Sequence, residues 1–174
     1  LVMNSGATAP EWGTGGQLLQ TQWHEMGVAS ISAPDRANSY SNMVQVSNFS
    51  KTITTTKANS KIVINGFFGM RSTAHTHDYF DMKATPGSGS TVWLSQIHAG
   101  YSGNTDGLLA NHTGDSNDAT NTGISFVYEP NVAASTAIVF TYWVGRWGSG
   151  TIFWNEHGNA NAHGQSTFIY QEVV

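Results

Sequence analysis

A chain of 174 residues with seven Lys+Arg, eleven Asp+Glu and a net charge of −4 is sized for one domain with a full core. Only 10% of its residues are charged, while Ser, Thr, Asn and Gly together make 70 of the 174; uncharged polar groups do the solvating, and seven scattered cations cannot build the basic face of a nucleic-acid binder. A hydrophobic share of 39% with six Trp excludes charge-driven disorder, no apolar run approaches the roughly 18 residues of a membrane span, and the absence of Cys removes disulfides, thiolate metal sites and cysteine nucleophiles together.

Residues 1–16, with Gly6, Pro10, Gly13, Gly15 and Gly16, read as an N-terminal arm or linker, and the first ten lack the basic and apolar regions of a signal peptide. Residues 17–174 read as one β-sandwich domain. The first strand, 17–26, alternates Leu19, Thr21 and Trp23 on one face with Gln20, Gln22 and His24 on the other. Strands are expected next at 43–46 and 49–56, then at 61–70, where Ile62, Val63, Ile64, Phe67 and Phe68 indicate little exposed surface. Residues 77–84 and 91–98 flank the turn cluster at 86–90 as a hairpin. The stretch 100–123, rich in Asn and Asp with Leu108 and Leu109 its only apolar pair, reads as a mostly irregular excursion.

Further strands are expected at 123–129, stopped by Pro130, and at 137–146, 151–155 and 166–173. No stretch of a dozen residues carries helical periodicity. Many short strands without helix or internal repeat indicate an all-β domain, and a jelly-roll-like antiparallel β-sandwich is the expected architecture.

Four segments taken in order, "GGQLLQTQW" (15–23), "FSKTITTTKANSKIVINGFFGM" (49–70), "GISFVYEPNVAASTAIVFTYWV" (123–144) and "STFIYQEV" (166–173), resemble a β-domain common in tail-fibre-like virion proteins of marine and other bacteriophages. The chain departs from that pattern at Thr56, where the family commonly has proline, and at Glu129, where it commonly has Asp. The resemblance implies an all-β, homotrimeric, virion-borne domain without catalytic residues or cofactor. It implies itself, other virion proteins (held through the N-terminal arm) and a host surface glycan as partners. Either a fibre or receptor-binding domain or a capsid decoration or head-fibre subunit fits that description.

Two constellations carry the remaining chemistry. Tyr142, Arg146, Trp147, Trp154, Asn155, His157 and Asn159 combine aromatic faces with amide and imidazole edges, the mixture that receives a sugar ring. Their alternative is core filling and packing between subunits. His75, His77 and Asp81 nearly match the first metal motif of cupins, since i and i+2 side chains of a strand share a face, and so offer a metal-dependent cupin-like enzyme as the less favoured function. The motif's second half is missing, and two polar histidines at the start of a solvent-facing strand are the simpler reading. A histidine cluster on a threefold axis is a third. The acidic residues 106–118 lack the ligand order of a calcium loop.

Overall fold

The computed structural model describes residues 16–35, 42–72, 76–97, 109–113, 120–155 and 165–174. β-branched and aromatic residues at every second position drive the chain into strands wherever polar turn residues do not interrupt. The eleven described strands are β1 (Leu18–Met26), β2 (Ala29–Ala33), β3 (Val44–Thr54), β4 (Lys61–Ser72), β5 (Thr76–Pro86), β6 (Val92–Trp93), β7 (Leu109–Thr113), β8 (Thr120–Tyr128), β9 (Ala137–Arg146), β10 (Gly150–Trp154) and β11 (Ser166–Val173).

The strands of the two halves of the chain pair as nested antiparallel partners: β1 with β11, β2 with β10, β3 with β9, β4 with β8 and β5 with β7. Such a ribbon leaves one face of every strand unburied until it curls onto itself. It does so where β4 takes β11 and then β10 along its second edge, and where β5 takes β9. One sheet then runs β1-β11-β4, with β8 on the other edge of β4 and the β10–β2 pair continuing beyond β11; the second runs β3-β9-β5, with β6 and β7 sharing the last edge. This strand order is that of a jelly-roll sandwich, as the strand pattern led one to expect.

The core lies between the sheets. On β9 the period-2 pattern turns Ile138, Phe140, Tyr142 and Val144 inward, and on β4 it turns Ile62, Ile64, Phe68 and Met70. Phe68 stacks on Trp154 at 4.9 Å between ring centres and lies 4.4 Å from Phe80 and 5.8 Å from Phe168. Gly66 makes that arrangement possible, because a Cβ there would lie 2.4 Å from the Phe168 ring.

One end of the sandwich is closed by polar bonds rather than apolar packing. The fully buried Glu172 carboxylate accepts hydrogen bonds from the amides of Thr56 and Lys57, the hydroxyls of Thr56 and Ser60, and the Gln20 amide. It thereby fixes the turn between β3 and β4. Thr55 and Thr136 exchange bonds beside it, and Asn59 donates its N–H to the Val132 carbonyl at 2.9 Å. Asn59, Asn131 and Ser135 adopt positive φ here, conformations that asparagine tolerates better than most residues.

Three expectations change. Residues 43–46 and 49–56 form one strand, β3, with an irregular register between Gln45 and Ser50. The expected strand 91–98 is reduced to β6 and a 3-10 turn at Leu94–Gln96, because Leu94 enters the core and Asp81 binds Ser95. The stretch 100–123 contains β7 and the start of β8, each recruited by a distant partner strand rather than by its own hydrophobic pattern. β2, an Ala-Ser-Ile-Ser-Ala strand held by β10, was not evident from the sequence. The arm expected at 1–16 lies, apart from Gly16, outside the described residues. Among the described residues no helix is long and apolar enough to cross a membrane.

Candidate functional site

The aromatic constellation divides according to strand parity. Tyr142 belongs to the inward set of β9 and Trp154 to the inward set of β10, and both are fully buried. The Tyr142 hydroxyl meets the Tyr170 hydroxyl at 2.5 Å and His24 Nδ1 at 2.9 Å, a polar chain joining the two sheets. Burial raises the pKa of both tyrosines, and burial together with the nearby Lys51 charge lowers that of His24.

Asn155 is also interior. At φ 57° it leaves β10; its Oδ1 accepts from the Gly69 N–H and the Ser166 hydroxyl, and its Nδ2 donates to the carbonyls of Met26 and Gly27. Four hydrogen bonds to three strands and a turn make it a structural tie. Arg146 is buried at the end of β9, opposite Asp78 on β5. Burial pushes the Asp78 carboxyl up to about 6 against the opposing pulls of Ser72 and Arg146. These four residues therefore offer no face to a sugar, because alternation and the core claim them.

Trp147 is different. It is 51% exposed, its N–H donates to the His77 carbonyl at 2.9 Å, and Gly148 beyond it, at φ 76°, donates to Asp35 Oδ1 at 3.1 Å. The turn is thus held on both sides, with about half of the Trp147 side chain exposed. His157 and Asn159 lie outside the described residues.

The metal constellation is parted in a similar way. His77 is exposed, Asp81 is fully buried and His75 lies outside the described residues. Asp81 Oδ1 accepts the Met82 N–H at 2.7 Å, and Oδ2 accepts the Ser95 hydroxyl. Its carboxylate anchors the 3-10 turn that covers it. Among the described residues no three His, Cys, Asp or Glu side chains come together as a metal-binding group.

Two surfaces assembled by the fold are absent from any linear motif. On the outside of the second sheet, Lys83 lies 4.2 Å from the Trp93 ring and 3.7 Å from the Trp143 ring, half-buried between them. This desolvation lowers the lysine's pKa against the attraction of Asp81, and both rings hold the cation through their π faces. On the outside of the first sheet, register aligns Trp23, Ile169, Asn65 and Ser125 in one row and Thr21, Gln171, Val63 and Val127 in the next. A third row holds Glu25, Thr167, Phe67 and Gly123. Strand β1 thus turns Gln20, Gln22 and His24 toward the interior and Trp23 toward solvent. Alternation alone defines two faces of such a strand; it does not say which one is covered.

No family model matches the chain, and no curated protein matches it. Among solved structures, it is similar to the Gx strain of infectious bursal disease virus, at 13% identity with a TM-score of 0.43, covering 90% of this chain and 37% of that one. It is also similar to the infectious bursal disease virus VP2 subviral particle, at 12% identity with a TM-score of 0.40, covering 98% and 43%. The chain spans less than half the length of each. Neither similarity assigns a family.

Proposed function

We propose that this domain is a structural module of a virus particle, displayed at its surface and acting by contact rather than turnover. The observation that carries this reading is the convergence of the four segments that resemble phage fibre-type domains. Separated by up to about 140 residues in the chain, they supply β1, β11, β4 and β8, four laterally adjacent strands, together with β3 and β9. The turns within two of them are bonded to each other, and Glu172 of the fourth caps the first of these turns. The resembling residues thus form one contiguous part of the fold, which supports the reading.

Within that reading the module is a fibre or receptor-binding domain, homotrimeric and bound to the particle through its N-terminal arm. Trp147 supplies the aromatic face for a host glycan, since a rigid sandwich presents its end turns without cost to the core. Three copies would multiply a weak contact by effective concentration. A capsid decoration or head-fibre role is the alternative in the same class.

Labelled antibody imaging on purified particles tests the class: copies at fibre tips support the receptor reading, copies on the capsid support decoration, and none on any particle overturns both. Trp147→Ala separates the roles further. Reduced adsorption with intact assembly supports a receptor contact, whereas defective assembly with normal adsorption of the surviving particles overturns it.

A further inference from the structure

The outer face of the first sheet carries four of the exposed large hydrophobic side chains among the described residues. Trp23 is 63% exposed, Phe67 53%, Val127 40% and Ile169 38%, with half-buried Val63 among them. They fall on four adjacent strands, β1, β11, β4 and β8, whose registers place them in neighbouring rows. With strands about 4.8 Å apart and a rise of about 3.4 Å per residue, Trp23 and Phe67 stand roughly 12 Å from one another across the face. Trp and Phe side chains bury about 150–250 Å² each, so these two alone leave on the order of 250 Å² open.

We propose that this face is the surface through which copies of the chain associate. The inference rests on the self-association read into the module above and names the surface responsible.

Area is the first argument. With Val63, Val127, Ile169 and the Thr, Asn, Gln and Ser side chains between them, the face amounts to roughly 600 Å² per copy; covering it on two copies removes about 1,200 Å², where specific interfaces begin. The apolar part of this face falls within the roughly 300–600 Å² at which the largest patch of a monomer is often functional. Charge is the second. Around a threefold axis the same face of each copy lies next to its two counterparts, so any net charge at its centre would be repelled by the copies of itself. The rows holding Trp23, Asn65, Val63 and Gln171 contain no charged residue. The charges stand at the rim: Glu25 on one side, and Lys61 already paired with Glu129 at 2.7 Å on the other.

A third argument is shape. Unlike an end turn, a four-strand face turned toward a threefold axis is wide enough to meet both neighbouring copies, where aromatic and branched side chains can interlock. Phe67 on the inner strand β4 and Trp23 on the edge strand β1, with amides and hydroxyls between them, supply the aromatic anchors such an interface uses.

Light scattering and sedimentation velocity on the full chain at micromolar concentration test the proposal, with Trp23→Glu and Phe67→Glu as variants and Trp147→Ala as a control. The expected result is an oligomer for the native chain and for Trp147→Ala, and a monomer for both glutamate variants, with far-UV circular dichroism unchanged. Ile169→Lys provides a further disruption should either glutamate variant fail to fold. An oligomer that persists in all folded face variants overturns the assignment of the face while leaving self-association standing. A monomeric native chain overturns both. If that monomer's tryptophan fluorescence shifts on titration with a soluble host polysaccharide, and that of Trp23→Glu does not, the face belongs to a glycan instead.

Discussion

At the scale of single residues, two buried carboxyls respond to pH in opposite directions. The Glu172 pKa is lowered: burial alone would raise it, but bonds from Ser60, Gln20 and the amides of Thr56 and Lys57 outweigh that penalty. A depressed acid contributes stability that is present above its unfolded value of 4.5 and is lost as pH falls through its folded value. Replacing it by Ala strands five donors, and the expected cost is about 3 kcal/mol or more, read from urea midpoints at pH 7. Asp78 behaves in reverse. Its pKa rises from 3.8 to about 6, so its contribution is full below 3.8 and disappears as pH climbs through 6. Between pH 4 and pH 7 the native chain should therefore lose about 2–3 kcal/mol relative to Asp78→Asn. Parallel stability profiles of the two proteins would refute the assignment.

At the scale of elements, the packing of β4 against β11 depends on one missing side chain. Gly66→Ala drives a methyl into the Phe168 ring, which itself lies against Phe68 and Tyr142. A cost of about 1–3 kcal/mol is expected from denaturant midpoints, because the ring has no empty volume to enter. Combining it with Phe168→Leu should give less than the sum of the two single losses, since the smaller side chain removes the clash. The β6 region depends instead on Asp81. Asp81→Ala frees Ser95 and leaves the Met82 and Ser95 amides to find water. Amide exchange at 92–97 should accelerate well before the rest of the second sheet does.

For the molecule as a whole, nested pairing makes the ends of the chain partners: Leu18 lies opposite Val173. β11 stands between β1 and β4, so the first strand joins its sheet only through the last residues of the chain. Unfolding should therefore be a single transition, with coincident tryptophan fluorescence and far-UV circular dichroism curves. Refolding should take milliseconds to seconds or longer, because loop closure over the chain's length precedes most strand pairing. A separate early transition in one sheet would show that the halves of the ribbon are independent.

The sequence alone determined the elements that rest on local pattern. Strands β9 and β11 have the expected limits, 137–146 and 166–173, since a run rich in β-branched and aromatic residues next to glycine-containing turns is a property of the segment itself. The all-β class and the sandwich followed from the same pattern. Tertiary structure decided everything that depends on a partner. β7 and β2 form because β5 and β10 offer open edges to them. Tyr142 and Trp154 are core because their parity faces the opposite sheet, and Asn155 is a tie because Gly69, Ser166, Met26 and Gly27 surround it. The exposed face of Trp23, Ile169, Phe67 and Val127 exists only once register joins four strands drawn from both ends and the middle of the chain. Hydrophobicity tells a residue to seek cover, and only the arrangement of its neighbours determines whether it finds any.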